Sequence, residues 1–226
     1  MDVVPDYISY LEDKGSLAND VDPTSVQVRA YVTYEVRDKD GKVILRRTEP
    51  SRSLVENYAI FQLAMWGSQT ITTADTSNVS ININGASPGI ININAPAGNN
   101  TYGIVVGSGS NTVSPTLVSL AAPITNGTGA GQLQYQAMSF SSGVTVSGNT
   151  TSFTLSRSFV NSSGGTVTVS EIGIIAYVSG FAMTNVSTNS SVSSDYFLLA
   201  YDVPSSAITV QNGQTLQITY TFSVTT

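Results

Sequence analysis

The chain has 226 residues, 41% of them apolar and 11% charged, with a net charge of −6. Cysteine and histidine are both absent. That removes disulfides, thiolate metal sites, the commonest general base and the thiol nucleophile, so neither an enzyme nor a cofactor is expected. The clustered Lys and Arg that neutralise phosphates are missing, so nucleic acid is not an expected partner. No run nears the roughly 18 apolar residues that would predict a membrane span.

Charge divides the chain, since nineteen of the 24 charged side chains fall in residues 1–56. Residues 1–25 read as a charged N-terminal arm and linker. A short helix is predicted around Asp6 to Lys14, stopped by Gly15 and followed by the polar stretch "SLANDVDPTS". The opening "MDVVPDYISYLEDKG" lacks the basic and apolar regions of a signal peptide, so synthesis in a cytoplasm is expected.

Residues 26–226 read as a single β-sandwich domain, beginning with a hairpin over 26–48. Val26, Val28, Ala30, Val32, Tyr34 and Val36 alternate with more polar residues, the period-2 pattern of a strand with one buried face. Asp40-Gly41 predicts a type I′ turn, and Lys42 to Thr48 returns as the partner strand.

One longer helix is predicted over 53–66. Ser53 and Glu56 have capping-box spacing, and Leu54, Tyr58, Phe61 and Met65 recur at helical intervals before Gly67. The helix is expected to pack across a sheet, with Trp66 and Phe61 as candidate oligomer contacts.

Beyond residue 70 the pattern is β throughout. Strands are expected near 79–84, 89–94, 101–107, 131–140, 143–147, 151–160, 166–178, 195–203, 207–211 and 214–225. The two similar halves of "VSININGASPGIININA" suggest a polar hairpin about Asn84-Gly85. The fold class is therefore mainly β, an antiparallel sandwich or jelly roll with one longer helix and a short N-terminal one.

Between Asp75 and Asp195 only Arg157 and Glu171 are charged. If "NSSGG" at 161–165 is a hairpin loop, Arg157 falls opposite Glu171 and Phe159 opposite Val169, all on one sheet face. The expectation is a structural ion pair that fixes strand register. A ligand-binding or catalytic Arg/Glu site, and separate partners such as Arg157 with Asp202, are the alternatives.

"ADTS" at 74–77 is similar to the loop of aspartic proteases, but a catalytic dyad needs two such aspartates and one is present. Asn78, Asn99, Asn126, Asn149, Asn161, Asn185 and Asn189 each begin an Asn-x-Ser/Thr sequon and are candidate glycosylation sites.

Four stretches carry a family resemblance: "PSRSLVENYAIFQL", "TYGIVVGSGSNTVSPTLVSLAAPITNGTGAGQLQYQAMSF", "SFTLSRSFVNSSGGTVTVSEIGIIAYV" and "FLLAYDVPSSAITVQNGQTLQITYTFSVT". They resemble virion-associated structural proteins of tailed phages and archaeal viruses. The resemblance implies a capsid, decoration or tail component located in the virion, whose partners are copies of itself and other virion proteins. It implies no catalytic residue. Low charge agrees with that role, because few ions need desolvation at a large interface. The alternatives are a head module that binds a glycan or host receptor, and an extracellular filament or pilus subunit joined by strand exchange.

Overall fold

The computed structural model describes residues 26–226 except 52, 53 and 88. The N-terminal arm, its expected helix and the Ser53 half of the capping box lie outside the described residues. What is described is mainly β, with antiparallel sheets and one helix.

In the first sheet, β2 (Val43–Pro50), β1 (Gln27–Arg37), β15 (Thr215–Thr225) and β10 (Thr150–Val160) lie side by side in that order. Three short strands, β7 (Gln134–Tyr135), β8 (Ser139–Phe140) and β9 (Thr145–Ser147), pair in turn along the other edge of β10. The second sheet runs β13 (Ser191–Asp202), β12 (Glu171–Asn185), β4 (Ser80–Asn84), β3 (Thr70–Ala74). Both β5 (Ile90–Asn92) and β6 (Gly103–Gly107) pair with other parts of the long β12. A third, two-stranded sheet joins β11 (Val167–Val169) to β14 (Ile208–Val210).

Alternation places the main core. Val32, Tyr34 and Val36 of β1 are buried, and the row Val32–Tyr220–Leu155 crosses three strands in register. These residues share one cluster with Ile104 to Val106 of β6, Ile172 and Ile174 of β12, and Leu198 and Ala200 of β13. The other face of the second sheet forms a smaller cluster of Ile81, Ile83, Val178, Met183 and Phe197, closed by Phe61 of α1 (Glu56–Gly67). This helix is not long and apolar enough to cross a membrane, nor is any other among the described residues.

Four local expectations change. The turn after β1 has positive φ only at Gly41, and Asp38 Oδ1 accepts from the N–H groups of Asp40 and Lys42. That is a bulged turn with one left-handed residue, where type I′ would need two. Next, α1 starts at Glu56, with Val55 as an N-cap that offers no side-chain bond; the Val55 and Glu56 N–H groups donate to the carbonyls of Leu199 and Pro115. Its buried face is Asn57, Phe61 and Ala64, while Met65 is exposed. Asn57 is stabilised there because it accepts from Thr73 Oγ1 and donates to the Ala74 carbonyl.

The "SININ" and "IININ" halves do not pair with each other. Ile81–Asn84 and Ile90–Asn92 line up separately along β12, which is long enough to partner both. Finally, "NSSGG" is a crossover between sheets. Its upstream strand β10 pairs with β15, while Glu171 begins a strand of the other sheet.

Candidate functional site

Because the crossover separates their strands, Arg157 and Glu171 form no ion pair. The expected register fails, and each charge is satisfied by main-chain groups of a different loop. Arg157 is 1% exposed. Its Nε donates to the Gln136 carbonyl at 2.7 Å, Nη1 to those of Tyr102 and Ile104 at 3.0 Å each, and Nη2 to those of Pro96 and Asn99. All five guanidinium donors are used. The cation also lies 4.8 Å from the centroid of the Tyr135 ring. Burial pulls its pKa down to about 10, with Tyr135 and Tyr102 opposing, so it stays charged at neutral pH.

Glu171 is fully buried and accepts from the N–H groups of Ala121 and Ala122 at 2.9 and 2.7 Å. The Tyr201 hydroxyl donates to it at 2.9 Å while accepting from the Asn111 N–H. Burial, opposed by the Asn111 N–H and aided by Glu171, pushes Tyr201 up to about 12. A Cβ at Gly107 would collide with this carboxylate and stand 2.7 Å from the Ala122 carbonyl oxygen, so glycine is required there. Arg157 thus pins residues 96–104 and Glu171 pins residues 111–122. Both segments are mostly irregular, and their buried main-chain groups need partners that no strand supplies.

Asn161 secures the crossover between them. It is fully buried, with Nδ2 donating to the Gly165 and Val210 carbonyls and Oδ1 accepting from Ser163. A glycan on Nδ2 would displace two buried bonds, so Asn161 is not a glycosylation site of the folded chain. Asn78, Asn149 and Asn189 are exposed; Asn99, Asn126 and Asn185 are half-buried.

The two candidate oligomer contacts also separate. Phe61 is in the core, edge-on to Phe197 at 5.2 Å, and cannot serve as a surface contact. Trp66, in contrast, is 82% exposed, beside exposed Leu63 and Met65 at the end of α1.

Three further features escaped the sequence reading. Tyr102, Tyr177 and Tyr196 form a half-buried cluster with ring centroids 5.6 to 6.3 Å apart. Asp75 gains a partner in Asp195, where the turn at 75–79 closes on β13 through Thr76 N–H to the Tyr196 carbonyl. Burial first, then the Asp75 charge and a shared hydrogen bond, hold the Asp195 carboxyl above its usual range, against the Tyr196 N–H.

The third feature is a surface. Beyond the Val32–Tyr220–Leu155 row, the core-side face of the first sheet continues as Ala30–Phe222–Phe153 and then Val28–Val224–Thr151–Val146. Phe153 is 44% exposed, Val28 67% and Val146 70%. The opposite face is polar, with a groove of about 360 Å³ lined by Thr33, Glu35, Arg37, Arg46, Thr48 and Gln217. Period 2 marked Val28 and Phe153 as inward-facing; what it could not show is that they are left exposed.

Compared with known proteins, the chain matches no family model, no curated protein and no solved structure.

Proposed function

We propose that this chain is a structural subunit of a virus particle, a capsid, decoration or tail component that self-assembles or docks through apolar surface. The single observation that carries the reading is the apolar extension of the first sheet. The largest apolar patch on a soluble monomer is often functional, and one continuous with the core suits an interface. The virion setting itself comes from the resemblance of residues 50–63, 101–140, 152–178 and 197–225. Two antiparallel sheets contributing to one core fit a sandwich or jelly-roll subunit, the architecture that this role favours.

Light scattering on the purified full-length chain over a range of concentrations tests the proposal. A defined oligomer or a growing polymer is expected. A monomer at every concentration would overturn self-assembly.

A second reading, a glycan-binding head, is favoured by the Tyr102–Tyr177–Tyr196 cluster, since half-exposed rings offer faces to sugars. Screening Tyr177→Ala beside the parent chain on a glycan array tests it. Sugar binding lost in the variant supports this head, and an array without hits removes it.

A further inference from the structure

The outward face of the first sheet holds a charged centre that the core does not use. Glu35 of β1 is 5% exposed, although its side chain alternates with Tyr34 and Val36 and so projects away from the core. Two arginines close over it. Arg46, opposite it on β2, donates to Oε2 through Nε at 2.7 Å and through Nη2. Arg37, one row along, contacts Oε1 through Nη2 and donates from Nη1 to the Gly41 carbonyl at 3.0 Å. Two cations against one anion leave one net positive charge here, in a chain of net charge −6. Among the described residues, Glu35 is the only carboxylate on this face of β2, β1, β15 and β10.

The buried carboxylate fixes both guanidinium forks, so an anion arriving from solvent meets donors already in place. The Arg46 side chain is 64% exposed, and its Nη1 has no partner among the described residues. Around this charge, Thr33, Thr48, Thr219 and Gln217 wall the groove of about 360 Å³ with hydroxyls and an amide, and no apolar side chain joins them. The volume lies within the range of small-molecule sites, about 300–1,000 Å³. Such a lining excludes a ligand held by apolar burial, and it lacks the apolar pockets that anchor a peptide. It suits a ligand with a carboxylate and several hydroxyls. The next row of the same face adds the half-buried Tyr31, between Pro50 and Thr221, as a platform for the flat side of a sugar.

We propose that the Glu35–Arg37–Arg46 groove binds an acidic sugar residue, with the carboxylate on the two guanidinium groups and the hydroxyls on the threonines and Gln217. The site lies on the face opposite the apolar rows and uses none of the Tyr102–Tyr177–Tyr196 rings. It therefore depends on neither reading above.

Isothermal titration calorimetry of the full-length chain at low salt tests the site with three probes. Trigalacturonate is expected to bind at least about tenfold more tightly than its methyl ester, which keeps the hydroxyls and loses the charge. The same margin is expected over triglutamate, which keeps the charge and loses the hydroxyls. Equal affinity for the ester would overturn the proposal, as would no binding of trigalacturonate. Equal or tighter binding of triglutamate would overturn it in favour of an acidic peptide.

Variants locate the site. Arg46→Gln is expected to weaken trigalacturonate binding about tenfold or more. Arg46→Lys, which keeps the charge without the fork, should weaken it severalfold. Lys39→Gln removes the same charge from the exposed turn beyond β1 and should leave it unchanged. Unchanged affinity in either folded Arg46 variant would overturn the proposal. Binding that survives Arg46→Gln but is lost in Tyr177→Ala would overturn it too, and would support the tyrosine cluster instead.

Discussion

Arg157 and Glu171 each replace a missing element of secondary structure. Arg157 donates to five carbonyls, four in irregular chain and one, Ile104, in β6, and has no carboxylate beside it among those contacts. Arg157→Met would remove a donor from each of those carbonyls, of which Pro96 keeps the Asn99 N–H, and each buried group left unsatisfied costs about 1–3 kcal/mol. The expected loss in urea denaturation is on the order of 3 kcal/mol or more. Arg157→Lys, with three donors on a compact head, should recover only part of it. Equal stability of the parent and Arg157→Met would show that water replaces the side chain.

Asp195 makes the pH-dependent contribution at this scale. Its folded pKa is raised, so the folded state holds the proton more tightly than the unfolded one. The associated stability is fully present below the unfolded pKa and is lost as pH rises through the folded value. Asp195→Asn retains a neutral partner for Asp75 and removes the repulsion. The variant should therefore melt higher than the parent at pH 7, with the gap closing toward pH 4. A variant that melts lower at both pH values would mean that the two carboxyls do not share a proton.

At the scale of elements, α1 has one side that belongs to the fold and one that does not. Phe61 fills the smaller core against Phe197, so Phe61→Ala should cost about 3–5 kcal/mol in chemical denaturation. Trp66 is largely in solvent, so Trp66→Ser should change stability by no more than about 0.5 kcal/mol. A fall in solution mass with Trp66→Ser would identify the helix end as a subunit contact. The crossover at 161–165 makes a separate prediction. Expressed in a host that glycosylates Asn, the chain should carry sugar at Asn78, Asn149 or Asn189 and none at Asn161, as read by peptide mass spectrometry. Occupancy at Asn161 in folded protein would contradict the buried corner.

At the scale of the whole molecule, the first and last strands of the described residues pair in one sheet. β15 lies between β1 and β10, and β12 partners four other strands. The interface proposed above has no charged side chain in either exposed row. Contacts through it should therefore be insensitive to screening. Solution mass is expected to hold between about 0.05 and 0.5 M salt, where exposed ion pairs would weaken. Dissociation with rising salt would place the contact elsewhere, with the Glu35–Arg37–Arg46 groove the first alternative.

What the sequence by itself determined is local. Alternation of apolar and polar residues places strands such as Thr150–Val160 and Thr215–Thr225 within a residue or two, because a half-buried strand needs that pattern whatever it pairs with. The helix was legible for a similar reason, although its buried face was not, since Asn57 is satisfied by Thr73 and Ala74 from a distant strand. Partnership was decided only by the tertiary structure. Period 2 gives the face of Arg157 but not its neighbour, and a five-residue Gly-Ser loop serves a hairpin and a crossover equally well. The sparing of Arg157 and Glu171 in a charge-poor stretch did signal burial. Their partners stayed hidden because main-chain carbonyls and N–H groups occur at every residue, so no side-chain pattern records which of them a buried charge will meet.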